Sequence, residues 1–220
     1  MKNHENYVLK NVNLIDGYGG DVQKNMYIAV EGKTIAAVGS MDSYTAPEGA
    51  AELDFTDHYV MPGLIDAHLH LSGGRGEGTY LDGDIISEPD VMRAMRSVGD
   101  ARQLLKRGIT SCRDISWNGL YLKRLFREER IAGPRIIACG PGLARTGGHC
   151  DTFQFPEEFV QSRHQWAVLA DGPEECRKWV RRILRQGADQ IKFWASGGGN
   201  WATDSPFDTH YSFEEMKMIC

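Results

Sequence analysis

The chain has 220 residues, 41% hydrophobic and 25% charged, with a formal net charge of -5 at pH 7. That is ordinary globular composition; its acidic balance gives no footprint for nucleic acid, and no apolar run reaches the roughly 18 residues of a membrane helix. Five cysteines, at positions 112, 139, 150, 176 and 220, are widely spaced with no C-x-x-C pair, which argues against a disulfide framework or zinc ribbon and for a reducing cytoplasm.

In chain order, Met1 to Asn6 is polar and lacks the apolar core of a signal peptide. Tyr7 to Ile15 alternates as a strand, closed by Asp16-Gly17. Tyr27 to Val30 and Thr34 to Val38 flank Glu31-Gly32-Lys33 and predict a hairpin with a glycine turn, and Ala51 to Phe55 predicts a later strand. No helical period occurs here, so residues 1–60 are expected to form a small all-β domain.

After Pro62-Gly63 the pattern changes. Leu64 to Leu71 is a largely apolar run carrying two histidines. Asp90 to Arg107 predicts a helix with Val91, Met95, Val98, Ala101 and Leu105 on one stripe and Gly108 as its stop. Ile109 to Ile115 predicts a strand, Leu120 to Ile131 a helix ended by Gly133-Pro134, and Arg135 to Cys139 a further strand. Pro173 to Gln186 predicts a helix with proline at its first position, a stripe of Cys176, Val180, Ile183 and Leu184, and Gly187 at its end. The basic residues from Arg177 to Arg185 form the wet face of that helix. Asp189 to Ala195 reads as a strand, and Ser212 with Glu215 as a capping box opening another helix.

Strand alternating with helix, four times over, predicts parallel βα units and an α/β fold class. Four units over residues 61–220 make the first half of a (β/α)8 TIM-like barrel, since a complete one takes roughly 250 residues. The chain stops soon after Ser212 opens a helix and is expected to be truncated. Between Gly140 and Gly172 no strong period appears; a long connection after a strand is expected on the face where barrels keep their chemistry.

His68-Leu69-His70 carries the first chemical signal. Residues two apart in a strand share a face, so both imidazoles point one way and Leu69 the other. Two histidines converging inside a barrel suit zinc or a similar divalent ion. In Gln190 to Ala195, Lys192 interrupts a strand whose alternate residues are apolar, which aims its amine inward. Arg145-Thr146-Gly147-Gly148-His149-Cys150-Asp151 follows a strand, and its glycines allow a close approach to a ligand.

The run Val60-Met61-Pro62-Gly63-Leu64-Ile65-Asp66-Ala67-His68-Leu69-His70 closely resembles the first-strand signature of the amidohydrolase superfamily, and Lys33 to Gly39 resembles the hairpin of its N-terminal β-sandwich. The resemblance covers nearly the whole chain. It implies that residues 1–60 are part of that sandwich, with His68 and His70 as the first two metal ligands. Lys192 would be a carboxylated lysine bridging two cations from the fourth strand. The 145–151 segment resembles the T-G-G-H-G-D loop of the branch holding imidazolonepropionase-like enzymes and metal-dependent Xaa-Pro dipeptidases, which gives His149 a contact with the substrate's scissile carbonyl region. Cys150 stands where that branch has glycine. Ser196 to Asn200 resembles the glycine turn after the family lysine and lacks the spacing of a phosphate loop.

The function implied is metal-assisted hydrolysis of an amide bond in dipeptides or N-acyl amino acids, with one or two divalent ions, zinc first among them. Two more histidines and an aspartate acting as general base and acid are expected beyond Cys220, so these residues alone should be inactive. A cyclic-amide hydrolase using one metal, and a non-catalytic metal-binding half-barrel, are the alternatives. Homo-oligomerisation is expected, as in related enzymes. A Cys150 nucleophile is set aside, because adjacent Cys and His side chains diverge. Trp194 is assigned to core packing, His164 and His210 to surface positions, and His58 to a turn.

Overall fold

The computed structural model describes residues 6–74, 88–163, 166–199 and 204–220; His164 and Trp201 lie outside them. The chain divides into two compact units, Met1–Gly63 and Leu64–Cys220. Together they are a mixed α/β fold.

The first unit is a five-stranded sheet. β1 (Asn6–Leu14) and β2 (Gln23–Glu31) pair antiparallel, and β2 pairs antiparallel with β3 (Thr34–Ser40). The predicted hairpin is present: Glu31 pairs with Thr34, and Gly32 takes the left-handed conformation (φ +58°) that its tight turn requires. β4 (Ala51–Asp54) and β5 (Tyr59–Val60) both run parallel to β1. Val8, Val12, Leu14 and Ile28 are its buried core. His58 has the turn role expected of it, with Nδ1 2.8 Å from the Thr56 carbonyl oxygen.

In the second unit β6 (Leu64–Leu69), β7 (Ile109–Asp114) and β8 (Arg135–Ala138) form a parallel sheet in chain order. Its crossovers are α1 (Asp90–Lys106) and α2 (Asn118–Arg127). Leu71, Ala101, Cys112, Leu120, Leu122, Ile136 and Ala138 pack between sheet and helices, with Leu69 against them. The face of α1 that is buried differs from the predicted stripe. Arg93, Ser97 and Ala101 are buried, while Val91 and Met95 are exposed. The reason is a buried polar network at the end of β6. The Ser97 hydroxyl lies 2.8 Å from the Leu71 carbonyl, Asn118 Nδ2 donates to the same carbonyl (3.0 Å) and to Ser97 Oγ (2.7 Å), and Asp114 accepts the Leu71 N–H at 2.7 Å. Buried backbone groups must find partners, and here the partners are side chains that hydrophobic periodicity scores as solvent-facing.

The stretch without a period contains β9 (Gly142–Ala144), α3 (Glu157–Arg163) and β10 (Ala167–Leu169), with β9 and β10 parallel. Residues 189–195, expected as a regular strand, make only an isolated parallel bridge between Phe193 and Leu143, held by Leu143 N–H to Lys192 carbonyl (2.8 Å) and Trp194 N–H to Leu143 carbonyl (3.2 Å). α4 (Gly172–Arg185) has its proline in the first turn and buries Cys176 and Ile183, though Leu184 is exposed. α5 (Phe213–Ile219) opens on Ser212, and both hydrogen bonds of the capping box with Glu215 are formed.

Candidate active site

His68 in β6 and His70 just beyond its end bring their rings together, while Leu69 between them packs against the core. The two imidazole centroids are 5.4 Å apart, with the rings at 69°. His70 Nδ1 lies 2.8 Å from the Ile115 carbonyl oxygen, which fixes the ring through Nδ1 and turns Nε2 away from that carbonyl. Trp166 packs edge-on against His70 at 5.2 Å, Trp117 against Trp166 at 5.5 Å, and the Arg93 guanidinium covers Trp117 at 4.9 Å. The expectation that both histidines sit in an enclosed interior needs correction. Both keep exposed surface, and among the described residues β6 has a paired neighbour, β7, along one edge only.

Burial, the larger cause, and the Lys192 charge hold His68 below the ordinary histidine value, and His70 and Arg113 push the same way. His70 is lowered too, by burial first; its bond to the Ile115 carbonyl opposes this and Lys192 adds to it. Both effects favour the neutral imidazole, the form that binds metal. They also place the Lys192 amine within electrostatic reach of both rings. Gly142 makes room for that side chain: a Cβ there would stand 2.4 Å from Trp194 Cζ3 and 3.0 Å from Lys192 Cγ.

Trp194 links this group to His149. Lys192 Nζ is 5.3 Å from the Trp194 ring centre, and the His149 ring is 6.1 Å from it. Trp194 also meets the expectation of core packing, lying against the cluster of Ala144, Val160, Ala167 and Leu169. His149 Nδ1 is hydrogen-bonded to Asp204 Oδ2, and Asp204 is nearly buried. His210, expected at the surface, is instead buried, with Nε2 3.6 Å from Asp204 Oδ1 and Nδ1 3.4 Å from the His149 backbone nitrogen. Two contacts bring it there, His210 N–H to the Ala195 carbonyl (2.9 Å) and a Ser196–Thr209 bridge. Cys150 adopts φ +69°, so the backbone keeps the glycine-like conformation. Burial, the main cause, raises its thiol to about 12, the direction of an inert cysteine.

The donor set fits part of a metal centre: two imidazoles, one fixed from behind by a carbonyl, and an amine nearby. Among the described residues no group of three or more His, Cys, Asp and Glu side chains is placed to hold an ion. Sequence reasoning missed Asp204, Trp166 and the role of His210. Asp204 is 55 residues from His149, and His210 61, in segments without a recognisable motif.

The Amidohydrolase family model matches residues 59–220. An ochratoxinase of Aspergillus niger is 31% identical over 215 residues, covering 91% of this chain and 44% of the ochratoxinase. The crystal structure of A. niger ochratoxinase matches with a TM-score of 0.85 at 28% identity, over 98% of this chain and 52% of that one. A prolidase complexed with N-methylphosphonate-L-proline matches at 0.84 and 30% identity, over 97% and 52% of the two chains. A Xaa-Pro dipeptidase with methionine bound in its active site matches at 0.80 and 26%, over 97% and 53%. The chain thus spans about half the length of these relatives.

Proposed function

The chain belongs to the amidohydrolase family, and from that premise we propose that the intact protein is a metal-dependent hydrolase of an amide C–N bond in dipeptides or N-acyl amino acids. The observation that carries the reading is the pair of adjacent imidazoles, His68 and His70, with ring centroids 5.4 Å apart. The fold that goes with it is the first half of a (β/α)8 barrel preceded by part of a β-sandwich. A cytoplasmic location and a homo-oligomeric state belong to the same reading.

His68, His70 and Lys192, the last as its carbamate, would hold one or two divalent cations, zinc foremost. When bound, such ions lower the pKa of water and polarise a carbonyl. The residues of this chain do the rest. The Ile115 carbonyl keeps the His70 ring in orientation. Trp166 packs edge-on against His70, and Trp194 lies beside Lys192 and His149, so each of these side chains has an aromatic wall on one side. His149 meets the scissile carbonyl region. Support for a peptide-like substrate comes from relatives called prolidase and Xaa-Pro dipeptidase.

The test is elemental analysis of the intact protein together with hydrolysis of a dipeptide panel. Wild type is expected to carry two ions per chain and to release free amino acids; Lys192→Ala should lose at least one ion. Two ions retained in Lys192→Ala would refute the bridging assignment, and a single ion per wild-type chain, unchanged in Lys192→Ala, would favour a cyclic-amide hydrolase.

A further inference from the structure

His149 is held by more than the loop that carries it. Asp204 Oδ2 takes the hydrogen bond from His149 Nδ1 and a second from the Gly198 N–H at 3.0 Å. Gly198 is therefore drawn against the imidazole: a Cβ there would stand 2.0 Å from His149 Cε1, so only glycine allows the approach. Asp204 itself is 3% exposed, and its Oδ1 has no hydrogen-bond partner within ordinary distance. His210 Nε2 faces it at 3.6 Å. The other His210 nitrogen, Nδ1, accepts the backbone N–H of His149 at 3.4 Å. Since Nδ1 accepts, the proton of a neutral His210 belongs on Nε2, toward Asp204.

The contacts close a ring: His149 backbone to His210, His210 to Asp204, Asp204 to the His149 side chain. We propose that Asp204 is the positioning residue for His149, with His210 as its brace, so that His149 is fixed as the tautomer protonated at Nδ1 and presents Nε2 to the substrate. A carboxylate at one imidazole nitrogen sets both the tautomer and the ring direction, and losing such an orienting group costs catalysis without removing the reacting groups. Burial of Asp204 acts to raise its pKa, but the bonds from His149 and Gly198 outweigh it and the net shift is downward, so the carboxylate is ionised at neutral pH. The inference rests on the reading of His149 as the residue at the scissile carbonyl. Its first test does not.

That test is nitrogen NMR of the intact protein labelled with 15N-histidine, at a pH where His149 is neutral. In wild type, Nδ1 of His149 is expected at the shift of a protonated imidazole nitrogen and Nε2 at that of an unprotonated one. In Asp204→Ala the two should move toward each other as both tautomers become populated. A wild-type His149 protonated at Nε2, or an unchanged spectrum in Asp204→Ala, overturns the proposal. If Asp204→Ala does not fold, His210→Gln and His210→Ala decide it. Glutamine offers an acceptor and a donor and should retain the wild-type signature, whereas alanine should lose it; identical spectra for the two would also overturn it.

With a dipeptide panel as probe, Asp204→Ala is expected to lower kcat about 10- to 100-fold, with metal content unchanged and KM within about threefold. A loss confined to KM, or one that follows loss of metal, argues for a merely structural carboxylate. If no dipeptide is cleaved by wild type, the substrate reading falls while the tautomer measurement still decides this one.

Discussion

Gly73→Ala is expected to destabilise the second unit far more than its size implies. Gly73 follows the His70-Leu71-Ser72 segment with φ +69°, and a Cβ there would stand 1.9 Å from the Arg93 carbonyl oxygen and 2.6 Å from the carbonyl carbon. The left-handed conformation alone costs a residue with a side chain about 1–2 kcal/mol. Overpacking adds about 1–3 kcal/mol, and the obstacle is the backbone of α1, which cannot rotate aside. The sum is about 2–5 kcal/mol. Gly108→Ala is the matched control, because Gly108 has φ +85° and nothing within 4 Å of the added Cβ. It should cost only the conformational part, and the gain from a stiffer unfolded chain is common to both variants. All five tryptophans (117, 166, 179, 194 and 201) lie after Gly63, so urea unfolding followed by intrinsic fluorescence reports this unit. A difference between the two variants below about 1 kcal/mol would refute the claimed collision.

Asp114 is fully buried, and burial, outweighing its hydrogen bonds, raises its carboxyl from 3.8 to about 6. The fold therefore favours the protonated form: the stabilisation is complete below pH 3.8 and is lost as pH rises through 6, on the order of 3 kcal/mol at about 1.4 per pH unit. Urea midpoints between pH 4 and 6.5 measure it, and Asp114→Asn should flatten the profile; an equally steep profile would assign the effect elsewhere. Gly198→Ala drives a methyl group into the His149 ring and should lower kcat on dipeptides with metal content intact, as assayed by elemental analysis. Ser212→Ala removes the acceptor of the Glu215 N–H and should cost about 1 kcal/mol in chemical unfolding, since α5 anchors the buried Ile219.

The order of strands and helices could be read from sequence because local chemistry marks their ends. Gly32 turns its hairpin, Pro173 starts α4, and Ser212 with Glu215 caps α5. His68 and His70 could be read because strand geometry puts alternate residues on one face. What could not be read is chemistry made by distant segments. Ser97 and Asn118 look solvent-facing until the Leu71 carbonyl supplies their partner. His210 looks like a surface residue until its pairing with Ala195 places it, buried, beside Asp204. The 189–195 segment has the alternation of a strand, yet only Phe193 is bridged, because β9, its neighbour, is only three residues long.

The network around Leu71 bears on any redesign of this protein. Leu71 is gripped at its N–H by Asp114 and at its carbonyl by Ser97 and Asn118, one residue beyond His70. Sliding β6 by a single position would strand all of these directional bonds at once and turn the imidazoles to the opposite side of the sheet. Repacking the same region with aliphatic side chains of equal volume could preserve melting temperature while letting the strand choose between offsets, and a scaffold that had kept its heat resistance would no longer know where to put its histidines.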